Sequence, residues 1–533
     1  MRRLIIKIFY IITLLLFCNE SYALTISEQD KRFYPFNLNL ERAFVLSGTL
    51  STGQGPPHIE AQYLNYADNS VLEDWTQLTS ETIINETSWT GTLTVGLHDA
   101  EGYFKVRLSN ATGTTAQTAN RCSPSFIGAV FGQSNAKYFF TNGTAAANAG
   151  FCYYTINGTT FTTNFPGYGG SNFANTLKSI FNCPIVLLDY GVPGAALDST
   201  CDIYGMGYGW WEKDPSGSHY VGFVAACVAL GEISSFFYHQ GESDGFCSES
   251  YEDYLANEQQ LRSDLRTDVS SNIIIPWITA AIGKYQSNGI LNINKAKVEL
   301  FDDENTHGIV GTDFTMYDDA HYTSDSTGYG RMQNRWAQCV RKHWGLSTWD
   351  RGPIPIGYKK ISATSTYIYV QLNGDATTVT PTSNIDSFEV LLGGVWTNVS
   401  CSLSSVAGNI AILSCTHSSG TVTGARSLWD GYNTPTTYIL RDDSDLTLPV
   451  EPLWSIPEYT DKFASSVTVS AQFEANKAIP VSFSDQVTVS YECGTNWYPA
   501  SFSDSVTVTS SFMKTRPNVY FQNVYINNVR VKE

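Results

Sequence analysis

Basic residues are scarce in this 533-residue chain, which has 32 lysines and arginines against 50 aspartates and glutamates. The formal net charge at pH 7 is −18, and the isoelectric point is about 4.8. A chain without a basic surface cannot displace counterions from a phosphate backbone or hold an anionic membrane. We therefore expect no nucleic-acid partner, and the acidic charge suits solubility outside the cell.

Long apolar runs are also lacking beyond the first 23 residues, because no later stretch approaches the roughly 18 apolar residues that span a bilayer. We expect no membrane span. Residues 1–23 combine a basic start, an apolar core over 8–17 and a small-residue cleavage site at 21–23. This pattern is typical of a secretory signal, so we expect a secreted or periplasmic chain that begins near Leu24.

Closely spaced cysteines are missing, although the chain has 11 cysteines. No pair shows the C-x-x-C spacing of a zinc ribbon or a redox motif, and the histidines show no metal-ligand spacing. We therefore predict no metal and no cofactor. Cys401 and Cys415 flank a turn-like segment at 404–409, and we expect them to face each other across a hairpin.

The remaining chain is too long for one hydrophobic core, and its pattern of apolar and polar residues changes three times. Period-two patterning predicts an all-β sandwich over 24–121. Strands that alternate with helices predict an α/β domain over 122–352. Strand patterning then returns and predicts a β-rich domain over 353–455. Related Val-Thr-Val segments begin at Val467, Val487 and Val506. They predict a C-terminal β-repeat module over 456–533, either a binding or spacer module or a simple sandwich.

Within the α/β region, apolar runs predict strands and amphipathic runs predict helices. The predicted strands cover residues 126–131, 185–190, 233–238 and 273–280, and the predicted helices cover 172–181, 251–269 and 327–344. Strands that alternate with helices favour a parallel sheet covered on both faces. Chemistry in such sheets lies at the carboxyl ends of the strands.

Polar or glycine-containing segments follow three of these strands directly. They are Gly-Gln-Ser-Asn at 132–135, Gly-Val-Pro-Gly-Ala-Ala-Leu at 191–197 and His-Gln-Gly-Glu-Ser-Asp at 239–244. Ser134, at a strand end after a glycine, stands where its hydroxyl can project into solvent. A serine needs a base, and His321 with Asp318 three residues before it supplies one, together with a carboxylate that can fix its tautomer.

These segments, in this order, resemble the blocks of SGNH hydrolases, most closely the sialate O-acetylesterase and acetylxylan esterase branch of carbohydrate esterases. The resemblance covers residues 122–345 and implies a flavodoxin-like three-layer α/β domain with a parallel sheet, flanked here by all-β sandwich-like domains.

By the same resemblance, Ser134 is the nucleophile, His321 the base and Asp318 its orienting carboxylate. The oxyanion hole would take the N–H groups of Ser134 and Gly194 and the side-chain amide of Gln240. Because some relatives orient the histidine through the glutamate of the His-Gln-Gly-Glu block, Glu242 is a rival or supplement to Asp318.

Two departures from the family pattern bear on the substrate. Ala136 stands where many relatives have methionine, and Gly194 is the one residue of its block that carries over readily. An aromatic run includes Tyr204, Tyr208, Trp210 and Trp211. Tyr208, Trp210 and Trp211 are candidates for stacking on sugar rings, and a packed loop is the alternative.

We therefore expect a secreted serine esterase that removes acetyl groups from a carbohydrate of the sialate or xylan type through an acetyl-serine intermediate. Its partner would be the acetylated carbohydrate, with a glycan or cell-surface contact through the C-terminal region. The main alternative is a surface carbohydrate-binding or adhesive protein with a degenerate SGNH domain. A lipase-like enzyme on the same fold is a further alternative.

Overall fold

The computed structural model describes residues 24–51, 58–84, 87–109, 111–201, 209–214, 216–269, 275–283, 289–427, 438–444 and 446–459. The expected signal and nearly all of the predicted C-terminal repeat module lie outside these residues. In the described part of the chain, no helix is both long and apolar enough to cross a membrane.

The N-terminal domain is a β-sandwich, as the alternating pattern predicts. Its strands are β2 (Glu41–Thr49), β3 (Ile59–Asn65), β4 (Val71–Gln77), β5 (Thr79–Ile84), β6 (Ser88–Gly96), β7 (Gly102–Leu108) and β8 (Ala111–Gln117). They form one antiparallel sheet in the order β2-β6-β5 and a second in the order β4-β3-β7-β8. Inward-facing residues of both sheets, including Phe44, Trp89 and Phe104, form one buried core.

The central domain is built on a parallel sheet. Its strands are β1 (Phe33–Pro35), β9 (Ser123–Gly132), β10 (Cys152–Thr155), β11 (Ile185–Gly191), β12 (Ser235–His239), β13 (Trp277–Ala281) and β14 (Thr306–Val310). The order is β10-β11-β9-β12-β13-β14, and β1 pairs with the first residues of β9. Every pairing is parallel, which confirms the predicted sheet.

Helices cover both faces of this sheet. They are α1 (Ser134–Thr141), α2 (Tyr168–Phe181), α3 (Ser218–Leu230), α4 (Glu242–Phe246), α5 (Tyr251–Val269), α6 (Ile290–Leu300) and α7 (Tyr329–His343). Residues of α3, α5 and α6 pack into the core on one face, and residues of α1, α2 and α7 pack into the core on the other. The result is the expected three-layer arrangement.

The first strand crosses the predicted domain boundary. Residues 33–35 fall within the segment assigned from the sequence to the N-terminal sandwich, yet β1 lies in the central sheet. Phe33 is buried against Tyr153 and Phe161 of the central domain. A three-residue strand is too short to show a period, so the pattern could not place it.

The sheet order creates a crevice at the carboxyl end of β9. Strand β9 pairs with β11 on one side and with the later strand β12 on the other. The carboxyl end of β9 is therefore the topological switch point of the sheet. Gly132 closes β9 with φ of +122°, and a Cβ here would lie 1.9 Å from the carbonyl oxygen of His239. Only glycine permits this turn toward Ser134.

The third domain is an antiparallel sheet that curls on itself. Its strands are β15 (Ile354–Ser362), β16 (Ser365–Gln371), β17 (Val379–Thr380), β18 (Ile385–Leu392), β19 (Val395–Ala407), β20 (Ile410–Thr416), β21 (Val422–Ser427), β22 (Arg441–Asp442) and β23 (Leu453–Ile456). Seven of them follow the order β15-β16-β20-β19-β18-β21-β23, and β17 pairs with β22. The edges meet where the Tyr358 N–H donates to the Pro457 carbonyl at 2.9 Å.

Two sequence-based expectations meet the structure in this domain. Cys401 and Cys415 are directly opposite each other on β19 and β20 and form a disulfide, which confirms the predicted pair. The last strand ends at Ile456, one residue beyond the predicted border at 455.

A buried ion cluster joins the third domain to the central one. Asp313 is fully buried and accepts hydrogen bonds from Arg335 of α7 at 2.7 and 2.9 Å and from Arg441 of the third domain at 3.2 Å. Burial raises the pKa of Asp313, but the arginines outweigh it and hold the pKa below its ordinary value. The cluster anchors the start of the loop that leads to Asp318 and His321.

If β1 is an integral strand of the central sheet, truncating Phe33 must destabilise that domain. We expect Phe33→Ala to lower the free energy of unfolding by about 3–5 kcal/mol, because it leaves a cavity between aromatic rings. The matched control is Leu38→Ala, whose side chain is 61% exposed. Urea unfolding followed by tryptophan fluorescence measures both, and equal stability of the two variants would contradict the strand assignment.

Candidate active site

Ser134 lies at the carboxyl end of β9 as the first residue of α1, and it is nearly buried. The first of the helix-type backbone bonds runs from the Lys137 N–H to the Gln133 carbonyl at 3.1 Å. The N–H of Ser134 therefore has no partner within the helix. It lies at the positive end of the helix, where a developing negative charge is stabilised.

His321 and Asp318 form the expected pair on the loop before α7. His321 Nδ1 lies 2.8 Å from Asp318 Oδ2, and Asp318 Oδ1 accepts the N–H groups of Ala320 and His321 at 2.8 and 2.7 Å. Partial burial raises the pKa of Asp318, but these hydrogen bonds outweigh it and hold the pKa below its usual value. The carboxylate therefore fixes the proton on Nδ1 and leaves Nε2 as a proton acceptor.

Asn135 joins the nucleophile helix to the histidine loop. Its Nδ2 donates to the Ala320 carbonyl at 2.9 Å, and its Oδ1 accepts the Tyr322 N–H at 3.2 Å, so it binds the backbone on both sides of His321. The ring of His321 also packs edge-on against Tyr138, one turn after Ser134. In the described part of the chain, no direct hydrogen bond joins His321 to Ser134. Such bonds often tighten only when substrate binds.

Glu242 lies behind Asn135. Its Oε1 accepts the second Nδ2 hydrogen of Asn135 at 2.7 Å, and Oε2 has no hydrogen-bond partner. Burial raises the pKa of this carboxyl to about 6. Of the two rival carboxylates, Asp318 contacts the His321 ring, whereas Glu242 acts through Asn135.

His239 lies beneath the site and is completely buried. Its Nε2 is 3.1 Å from the Tyr322 hydroxyl, which accepts the Gly283 N–H at 3.0 Å. Burial lowers the pKa of His239 to about 3, so the ring is neutral. His239 and the Tyr322 hydroxyl share a hydrogen bond, through which His239 supports the histidine loop.

Gln240 does not have the donor role expected of it. Its Nε2 lies 3.0 Å from Gln133 Oε1, 2.8 Å from the Ala195 carbonyl and 2.9 Å from Asp244 Oδ2, and the side chain is fully buried. The two amide hydrogens are therefore committed to buried acceptors, and none remains for an oxyanion. Gln240 instead ties the second and third blocks together.

Gln133 is a second hub that the sequence reasoning missed. Its Oε1 accepts hydrogen bonds from Gln240 Nε2 and from the N–H groups of Gly241 and Ser243, the last at 3.1 Å. Gln133 thus binds the 239–244 block, and Asn135 binds both that block, at Glu242, and the histidine loop. A polar amide on each side of a strand-end serine is the signal that could have pointed to them.

Gly194 lies on the loop after β11, on the other side of Ser134. The Val192 N–H donates to the Gly132 carbonyl at 2.8 Å, so this loop starts beside the turn that carries Ser134. Gly194 has φ of +78°, which favours glycine, and its carbonyl accepts the Ser243 hydroxyl at 3.2 Å. The peptide between Gly194 and Ala195 is thereby held in a fixed orientation.

The three candidates for stacking on sugar rings differ in their exposure. Trp211 is completely buried against Phe131 and Phe223, so its assignment as a sugar-stacking residue is wrong. Trp210 is partly exposed and pairs through its backbone with Ala196, two residues after Gly194. Tyr208 lies outside the described residues.

Comparisons with known proteins show similarity in family and in fold. Residues 170–339 match the family model of a carbohydrate esterase described as a sialic acid-specific acetylesterase. No curated protein matches the chain significantly. A solved structure of a carbohydrate acetylesterase from Xanthomonas citri aligns over 81% of this chain and 99% of its own, with 13% identity and a TM-score of 0.53.

Two other solved structures are more distant. A protein from Arabidopsis thaliana aligns over 41% of this chain and 97% of its own at 19% identity, with a TM-score of 0.32. An acetyl xylan esterase from Butyrivibrio proteoclasticus aligns over 61% and 99% at 11% identity, with a TM-score of 0.25. Scores this low carry no argument. Residues 170–339 of the central domain are therefore similar to this carbohydrate esterase family, and the chain shares its fold with the Xanthomonas structure.

Proposed function

We propose that this protein is a serine esterase that removes O-acetyl groups from a carbohydrate. The observation that carries the proposal is the Asp318–His321 pair, held beside Ser134 by the side chain of Asn135. A hydroxyl at a helix N-terminus, a histidine with a free Nε2 and a carboxylate on Nδ1 are the parts that acyl transfer needs.

In the proposed reaction, His321 Nε2 takes the proton of Ser134 as the oxygen attacks the acetyl carbonyl. The oxyanion is stabilised by the N–H groups of Ser134 and Gly194, while Asp318 stabilises the imidazolium. Collapse transfers the proton from His321 to the sugar oxygen, which leaves with its hydrogen, and an acetyl-Ser134 ester remains. Water then attacks this ester with His321 again as base and releases acetate.

The proposed substrate is an acetylated sugar of the sialate or xylan type, and the proposed place of action is outside the cytoplasm. The family model's description favours a sialic acid acetyl ester. The partly exposed Trp210 near Gly194 offers an apolar face for a pyranose ring. The signal-like pattern at residues 1–23 and the net charge of −18 support export.

The direct test is acetate release by the full chain from p-nitrophenyl acetate, O-acetylated sialic acid and acetylated xylan. We expect the wild type to be active and Ser134→Ala to fall to background, because no other group then forms the acyl-enzyme. Ser405→Ala, on an exposed strand of the third domain, is the control and should keep full activity. If the wild type releases no acetate from any ester but binds one polysaccharide, the chain is better explained as a carbohydrate-binding protein with a degenerate SGNH domain.

Substitutions of Asp318 and Glu242 distinguish the roles of these two carboxylates. We expect Asp318→Asn to lower kcat by about 10³–10⁴-fold, because the amide favours the wrong tautomer of His321. Glu242→Gln should cost less than about tenfold, because its amide oxygen can still accept from Asn135. Steady-state kinetics on p-nitrophenyl acetate measures both, and a larger loss for Glu242→Gln would reverse the assignment.

Asn135 is expected to align the base with the nucleophile. Asn135→Asp keeps the shape of the side chain but replaces its donor group by an acceptor. That acceptor would face the Glu242 carboxylate and the Ala320 carbonyl. We expect kcat to fall by about 100-fold with KM nearly unchanged, because displacing the histidine loop misaligns the reacting groups. Asn39→Asp on an exposed turn is the control. An unchanged kcat in the folded variant would refute this role.

A further inference from the structure

A cluster of side chains of the types that bind metals adjoins Gln240, whose Nε2 lies 2.9 Å from Asp244 Oδ2. It consists of Cys201, at the end of the short helix Ser199–Cys201, Asp244 of α4, and Glu249 between α4 and α5. A Cys201 sulfur and one carboxylate oxygen from each acid lie within 4.8 Å of one another. All three residues are buried, with Asp244 at 0% and Glu249 at 8% exposure.

The negative charge of this cluster is not balanced by the described residues. No lysine or arginine in the described part of the chain forms an ion pair with Asp244 or Glu249. Glu249 Oε1 accepts from Asn257 at 3.2 Å, but the buried Oε2 has no hydrogen-bond partner. Buried carboxylates this close need a proton or a cation.

A second thiol adjoins the cluster. The thiol of Cys247 lies near that of Cys201 and is exposed. Both cysteines are free thiols, although the same chain forms a disulfide between Cys401 and Cys415. Asp244, Cys247 and Glu249 come from one short segment, and Cys201 approaches them from the loop that follows Gly194.

We propose that Cys201, Asp244 and Glu249 bind a zinc ion. One thiolate and two carboxylates suit the borderline-soft character of Zn²⁺. Calcium and magnesium fit less well, because both prefer oxygen ligands alone. One divalent ion compensates the buried carboxylates and satisfies Glu249 Oε2.

The site is structural in this account, because none of its ligands contacts Ser134 or His321. Asp244 Oδ1 accepts the Leu197 N–H at 2.7 Å, and Oδ2 accepts from Gln240. An ion on Asp244 therefore fixes the loop that carries Gly194 against the block that carries Gln240. The proposal stands independently of the esterase activity, because it rests on metal content and stability.

The test measures zinc in the full chain, purified without chelators from zinc-supplemented medium, by inductively coupled plasma mass spectrometry. We expect about one zinc per chain in the wild type and loss of most of it in Cys201→Ser and in Glu249→Gln. Removal of zinc with a chelator should lower Tm, and Zn²⁺ alone should restore it. Glu252→Gln, an exposed carboxylate at the start of α5, is the matched control and should retain the metal.

The second variant keeps the test decisive if Cys201→Ser fails to fold, because Glu249→Gln preserves the shape of the side chain. The proposal is overturned if the wild type contains no zinc, or if Glu249→Gln holds as much as the wild type. Peptide mapping without reductant that finds a Cys201–Cys247 disulfide would also overturn it.

Discussion

The four hydrogen bonds of the Asn135 side chain hold the site together. Two of them bind the backbone on either side of His321, one binds Glu242, and the last accepts the Tyr329 hydroxyl. Nucleophile and base come from segments far apart in the chain, and no covalent element fixes their spacing. A buried amide whose donors and acceptors are all satisfied is rigid, and rigidity is what a proton transfer over hydrogen-bond distance requires.

The rest of the fold positions the segments that Asn135 joins. The strand order places the end of β9 between two returning loops, so Gly194 and the block from His239 to Asp244 lie on opposite sides of Ser134. The histidine loop is anchored at its start by Asp313, which receives Arg441 from the third domain. The flanking β domains therefore contribute to the site, because one of them holds the base loop and the N-terminal segment adds a strand to the sheet.

Elements with a strong local pattern could be predicted from the sequence. Helix α5 was predicted at its observed bounds, and β9 and β11 at nearly theirs, because amphipathic spacing and unbroken apolar runs depend on neighbouring residues alone. Helix α3 was missed, since it is apolar on every face and shows no period. Contacts between segments escape such reasoning. The resemblance made Gln240 an oxyanion donor, but three buried acceptors, two of them from other loops, occupy its amide. The proposed zinc ligands share no sequence spacing.

If Ser134 is the nucleophile of an ester-hydrolysing site, a reagent specific for activated serines must attach to it. The full chain would be incubated with a fluorophosphonate, digested and analysed by peptide mass spectrometry. The account predicts a single adduct on Ser134, formed rapidly in the wild type and slowly in His321→Ala, because the base activates the hydroxyl. Labelling of another residue, or equal labelling with and without the histidine, would contradict it.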